Sequence, residues 1–212
     1  MADTKENGKT TTKVISPIRL AHVVLRTRPE TFADMVAFYK TFLGAEAAHE
    51  NDFISFLTYD EEHHRIAIVA MPGLGPKDAK TAGLESPKTD GYLQHIAFTF
   101  ATVKDLLTAY TQRKELGIKP VWCVNHGPTL SIYYRDPDGN HIETQVDAFD
   151  TAEDATAYMV DPAFAENPIG VDFDPDDTIE RLEKGVVSVQ DVLKRPNIGP
   201  RDLSDVAMVE SH

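Results

Sequence analysis

The sequence predicts an α+β protein: two tandem β-α-β-β-β units followed by a helical C-terminal extension. Three observations predict it. A strand–helix–strand pattern appears twice, its landmarks are separated by a constant offset, and the last sixty-odd residues repeat neither unit. The first unit opens with Ile18–Leu25, an apolar run with β-branched residues that predicts a strand. Pro29 suits a first helical turn, and Glu30 beside it faces the positive end of the helix dipole. Phe32, Met35, Val36, Tyr39, Phe42 and Leu43 follow helical spacing, and Gly44 ends the helix. Strands are expected at Ala45–His49, Asp52–Tyr59 and His64–Met71, with residues 60–63 as the last turn.

A loop rich in Gly, Pro and Lys, Pro72–Asp90, separates this unit from its echo. Tyr92–Phe98 repeats the first strand, with His95 standing where His22 stands. Thr102 and Asp105 form a capping-box variant ahead of the stripe Val103, Leu106, Leu107, Tyr110 and Leu116, which Gly117 ends. Strands at Val121–Asn125, Thr129–Arg135 and Asn140–Val146 complete the unit, the last two joined by the turn Asp136–Gly139. His22 and His95 lie 73 residues apart, and so do Gly44 and Gly117. Two landmarks of different chemistry sharing one offset mark an internal duplication. The organisation expected is a disordered polar tail over 1–16, a domain over 17–148 with modules at about 17–72 and 91–148, and an extension over 149–212. Helices are expected in the extension at Thr151–Tyr158, Asp174–Lys184 and Val187–Lys194. After Arg195–Pro200 the chain is expected to wrap the surface or a neighbouring subunit, and a homo-oligomer is the expected assembly.

Composition narrows the function. Of 212 residues, 21 are basic and 34 acidic, a net charge of −13 without any Lys/Arg cluster, which argues against a nucleic-acid partner. No apolar stretch has the length of a membrane span, so no membrane partner is expected. The polar first residues lack an apolar signal core, and Cys123 is the single cysteine. That excludes an intramolecular disulfide and multi-cysteine metal sites, and it predicts a cytoplasmic protein.

Two histidines at equivalent positions of a duplicated strand can converge across a pseudo-twofold axis. Glu143, between Ile142 and Val146 in the last strand, is a carboxylate that needs a partner, because a buried unpaired charge is expensive. The positions matching Glu143 in the first unit are Ala67 or Ala70, so no fourth protein ligand is expected. Two histidines and one carboxylate with open positions, here His22, His95 and Glu143, are the signature of non-haem Fe(II) oxygen chemistry, and Mn(II) accepts the same donors.

The two Leu-x-His-[Val/Ile] strands and the run Tyr133–Glu143 (YYRDPDGNHIE) resemble the vicinal oxygen chelate superfamily, which holds glyoxalase I, bleomycin-resistance proteins, epimerases and type I extradiol ring-cleaving dioxygenases. The resemblance covers roughly residues 18–148. It implies paired βαβββ modules forming an open, curved mixed sheet around a metal. Within that superfamily the extradiol dioxygenases match best. His63-His64 resembles their paired histidines, with His64 as the implied catalytic acid/base. Tyr133, ten residues before Glu143, matches their pocket tyrosine, and His126 is the candidate second hydrogen-bonder. The resemblance therefore implies a small aromatic diol and O2 as substrates, with ring cleavage beside the hydroxyls. The alternatives are a glyoxalase-type metal-dependent lyase or isomerase, and a non-catalytic binder like the bleomycin-resistance proteins.

Overall fold

The computed structural model describes residues 5–6, 9–10, 17–74 and 94–201. The tail expected over 1–16 lies outside the described residues except for two short strands, β1 (Lys5–Glu6) and β2 (Lys9–Thr10), which pair antiparallel. Most of the loop expected at 72–90 also lies outside them.

The first module runs β3 (Val23–Thr27), a 3-10 turn at Pro29–Thr31, α1 (Phe32–Leu43), β4 (Glu46–Glu50), β5 (Ile54–Thr58) and β6 (Ile66–Ala70). The second runs β7 (His95–Thr99), α2 (Val103–Glu115), β8 (Trp122–Asn125), β9 (Thr129–Arg135) and β10 (His141–Asp147). The expected duplication is visible in the topology. Strand order is β3-β6-β5-β4 in one sheet and β7-β10-β9-β8 in the other, with the first strand of each module parallel to its last. Both sheets are mixed and open, of four and five strands, because β11 (Val171–Asp172) from the extension adds antiparallel to β8.

The first strand starts later than its apolar pattern predicts. Val23 is the first residue to pair with β6, whereas the carbonyls of Leu20 and Ala21 accept from the Arg65 guanidinium at 2.9 and 3.0 Å. His22 therefore sits just ahead of the strand. The helices end as their residues dictate. Gly44 takes φ +63° and donates its N–H to Lys40, and the Thr102 hydroxyl accepts from the Asp105 N–H.

Strand alternation separates two chemistries. In β9 and β10, Leu130, Ile132, Tyr134, Ile142, Thr144 and Val146 share one buried face, against which α2 packs. Ser131, Tyr133 and Glu143 occupy the opposite face. The core joins the modules through their helices. Phe42 of α1 meets Tyr134 edge-on at 5.0 Å, and the Tyr39 hydroxyl donates to Asp136 Oδ2 at 3.0 Å. Arg113 of α2, buried, donates to the Phe42 carbonyl from Nε and Nη2 at 3.1 and 2.8 Å, with its guanidinium 3.9 Å from the Phe42 ring centre. A cation on the last carbonyls of α1 also complements that helix's dipole.

The extension forms α3 (Ala152–Met159), α4 (Pro162–Glu166), β11, α5 (Pro175–Glu183) and α6 (Val189–Leu193). The three expected helices are present, and α5 and α6 begin at Asp174 and Ser188 caps. The two-residue β11 and the five-residue α4 are too short for a periodic signal. Among the described residues no helix is long and apolar enough to cross a membrane.

Candidate active site

The open face of the second sheet carries four of the six expected site residues. His95 begins β7 and Glu143 is the third residue of β10, two parallel neighbours. His95 Nε2 lies 3.0 Å from Glu143 Oε2. Tyr133 is directly opposite Glu143 across the β9–β10 ladder, and Trp122 is opposite Tyr133 across β8–β9. The rings of Trp122 and Tyr133 stack with centres 5.1 Å apart. His126, just after β8, places Nε2 3.0 Å from the Tyr133 hydroxyl.

Glu143 is 5% exposed, yet it remains a carboxylate. Burial pushes its pKa up, but hydrogen bonds from His95, Ser131 and Tyr133 outweigh burial and bring it below the ordinary value. Tyr133 is pushed the other way. Burial, the Glu143 charge and the bond to Glu143 all raise it, so the phenol keeps its proton. His126 Nδ1 faces the Ile169 carbonyl, which fixes the proton on Nδ1 and leaves Nε2 as an acceptor. Burial pushes the His126 pKa down and keeps the ring neutral, ahead of the opposing pull of the Ile169 carbonyl and the Glu143 charge. The single Tyr133 proton thus has two acceptors, Glu143 and His126.

The extension builds the back of this site, which the sequence did not signal. Ile169 orients His126 through a backbone carbonyl, and Arg195 donates to the His126 carbonyl at 3.1 Å. Asp172 of β11 accepts from the Trp122 indole at 2.8 Å and is itself held by Arg201 at 2.8 and 2.9 Å. Gly170 takes φ +112° where a Cβ would lie 2.4 Å from the Asn125 carbonyl oxygen, so the backbone needs glycine there. His141, opposite His95 and buried, accepts from Arg135 Nε at 3.0 Å. Its even spacing from Glu143 is the signal that would have placed it on this face.

The other two expected residues cluster on the first module. His22 lies against His64 with ring centres 4.3 Å apart and the rings tilted by 34°, and Phe56 of β5 lies 4.8 Å from His64. The His63 ring centre lies 4.4 Å from that of His64. Partial burial and the charges of His22 and His63 push the His64 pKa down, which favours a neutral imidazole able to take a proton. The structure therefore brings His95, Glu143, Tyr133 and His126 together, and His22 with His64 separately. Among the described residues no three His, Cys, Asp or Glu side chains converge within one chain to hold a metal ion.

The donor chemistry nevertheless fits a metal at His95 and Glu143. Two neighbouring ligands bound at about 2.1 Å and at right angles are about 3.0 Å apart, which matches the observed separation. The Gln94 side-chain oxygen faces His95 Nδ1, the outer-shell contact that directs Nε2 to a metal. Two donors are a partial set, and His22 is the expected third.

A family model described as Glyoxalase/Bleomycin resistance protein/Dioxygenase superfamily matches residues 19–144. The chain is 44% identical over 158 residues to biphenyl-2,3-diol 1,2-dioxygenase 2 of Rhodococcus globerulus, covering 74% of this chain and 77% of that one. It is also 44% identical over 168 residues to biphenyl-2,3-diol 1,2-dioxygenase 3 of the same organism, covering 79% and 84%. A crystal structure of lactoylglutathione lyase from Agrobacterium tumefaciens aligns with a TM-score of 0.46 at 18% identity, over 61% of this chain and 94% of that one.

Proposed function

The chain belongs to the Glyoxalase/Bleomycin resistance protein/Dioxygenase superfamily, and on that premise we propose that it is an Fe(II)-dependent extradiol dioxygenase acting on a catechol-type diol. The observation that carries the reading is the constellation of His95, Glu143, Tyr133 and His126, with Glu143 and Tyr133 buried, in a chain 44% identical to two proteins named as biphenyl-2,3-diol dioxygenases. Those names favour it over the glyoxalase-type lyase and the non-catalytic binder. Biphenyl-2,3-diol is the first substrate to try.

His95 and Glu143 would hold the metal, and His22, which lies apart from them in this structure, is the expected third ligand; Mn(II) would suit the same donors. Fe(II) held there would supply Lewis-acid and template chemistry for the diol and O2. The chain's own residues handle protons and position. His64, neutral and beside His22, takes a proton from the diol hydroxyl and returns it to the developing product. Tyr133 keeps its proton, which His126 Nε2 accepts in the resting site, and turns it to donate a hydrogen bond to the substrate oxygen. Trp122 backs the Tyr133 ring and limits its rotation. Burial of Tyr133 and Glu143 keeps bulk water from this wall of the site. The reading includes a cytoplasmic location, with which a lone, reduced cysteine agrees.

The test is direct. Protein purified without oxygen, then mixed with biphenyl-2,3-diol in air, should consume O2 and form a yellow ring-opened product. No oxygen uptake across a panel of aromatic diols by metal-loaded protein would refute the proposal.

A further inference from the structure

We propose that Arg195 is a positioning residue for the reaction: by tying the His126 loop to the turn that carries Ile169, it holds the His126 proton on Nδ1 and leaves Nε2 to accept from the Tyr133 hydroxyl. The inference rests on the dioxygenase reading above. It extends the machinery into the C-terminal extension, beyond the residues 19–144 that the family model matches.

His126 Nδ1 meets the Ile169 carbonyl, and His126 Nε2 lies 3.0 Å from the Tyr133 hydroxyl. An imidazole with its proton on Nε2 suits neither end. Nδ1 would face a carbonyl with no hydrogen between them, and Nε2–H would turn the Tyr133 proton away, leaving Glu143 as its only acceptor. The tautomer therefore depends on how closely the His126 loop is held to the turn bearing Ile169. Pairing of β8 with β11 joins Asn125 to Val171 and Val124 to Asp172, so the ladder stops one residue short of His126.

Arg195 supplies the tie beyond the ladder. Its Nη1 donates to the His126 carbonyl at 3.1 Å and to the carbonyl of Asn167, two residues before Ile169. Asn167 is buried, and its side chain closes the same turn, donating to the Gly170 carbonyl at 3.1 Å and accepting the Gly170 N–H at 2.8 Å. The turn is thus braced as a unit, and a hold on Asn167 is a hold on Ile169. Arg195 is itself fixed in place. Its guanidinium lies against Tyr158 and Phe164, 5.6 and 5.4 Å from their ring centres. The chain just before it is anchored where Asn125 Nδ2 donates to the Val192 and Leu193 carbonyls at 3.0 and 3.1 Å. Among the described residues Arg195 makes no ion pair, in a chain of 34 acidic residues to 21 basic. A half-buried guanidinium ordinarily pairs with a carboxylate. This one is committed to the two carbonyls that bracket the His126 contact.

Arg195→Met tests the assignment, because methionine keeps an apolar stem beside the two rings and removes the donor. The first readout is the His126 tautomer, taken from the ring 15N shifts of the full chain loaded with Zn(II), a diamagnetic ion that accepts the same donors. His126→Gln identifies the signal. Wild type should carry the proton on Nδ1, and Arg195→Met should spread it over both nitrogens. An unchanged Nδ1–H signal in Arg195→Met would overturn the proposal whatever reaction the chain performs.

The second readout is turnover of biphenyl-2,3-diol by the iron-loaded chain. Arg195→Met should lower kcat at least about tenfold with KM and iron content unchanged. Arg195→Lys, whose ammonium can donate to both carbonyls, should recover most of that loss. In a His126→Ala background Arg195→Met should cost nothing further, and an equal fall there would mean that Arg195 does not act through His126. Thr151→Ala is the control for a loosened extension. It removes the hydroxyl that caps α3 by accepting the Asp154 N–H at 3.1 Å, so it should lower Tm and leave kcat alone. Equal losses of kcat in Thr151→Ala and Arg195→Met would reduce Arg195 to a structural contact. Wild-type protein that consumes no O2 with any diol would remove the proposed function instead, and the tautomer would still decide the role of Arg195.

Discussion

Replacing Phe42 with alanine tests the packing that joins the two modules. Phe42 is 2% exposed, and its ring contacts Phe38, Tyr134 and the Arg113 guanidinium. A buried Phe→Ala change costs about 3–5 kcal/mol through lost transfer energy and the cavity left behind. Loss of the cation–π contact adds about 0.5–2 kcal/mol. Phe42→Ala should therefore destabilise the chain by about 5 kcal/mol, which for a protein of this size lowers Tm by about 10–20 °C. Urea denaturation of the single and double variants with Tyr134→Ala then isolates the contact between modules. The edge-on pair should show a coupling energy of about 0.5–1.5 kcal/mol. A coupling indistinguishable from zero would mean that α1 does not pack on the second sheet, and would refute the packing of the first module's helix on the second module.

Further outcomes follow from the site. Tyr133→Phe removes the hydroxyl shared by His126 and Glu143, and it should lower kcat about 10- to 100-fold while iron content stays unchanged; full turnover would remove Tyr133 from the chemistry. Gly170→Ala forces a left-handed φ and a backbone collision at Asn125, so it should cost at least about 1–3 kcal/mol by thermal melting. Its failure to destabilise would show that β11 is free to shift. Asp172 carries a pH prediction. Burial raises its pKa, but the bonds from Arg201 and Trp122 outweigh burial and leave it depressed. A depressed folded-state pKa stabilises the protein above the unfolded value of about 3.9. That contribution is lost as pH falls through the lower, folded-state pKa. Melting curves of wild type and Asp172→Asn should differ at pH 6 and converge as the pH drops below the folded-state value. A constant gap across that range would contradict it.

Much of this architecture was legible because duplication repeats its landmarks. His22 and His95 mark equivalent strands, Gly44 and Gly117 end equivalent helices, and alternation through Tyr133 and Glu143 assigns them to one face. What escaped has physical reasons. The orienting group on His126 is the Ile169 carbonyl, and a backbone atom leaves no mark in a sequence. Asp172 reaches Trp122 across 50 residues from a strand of two residues, which is too short to show period 2. The first strand begins at Val23 because Arg65 occupies the carbonyls of Leu20 and Ala21, a contact between distant residues that an apolar run cannot reveal. The position of His22 is the deepest case. Equivalence of two strands says that their histidines are related, and it does not say whether the related faces meet in one chain or between two.

The central claim is that Fe(II) held by these residues carries oxygen chemistry on an aromatic diol. Metal-free protein should be reloaded under nitrogen with Fe(II) or Zn(II) and given biphenyl-2,3-diol and a measured amount of O2. The account predicts that only the Fe(II) form turns over, with oxygen uptake and ring-opened product rising together in equal amounts. Diol consumed without oxygen uptake, or equal turnover with Zn(II), would contradict it.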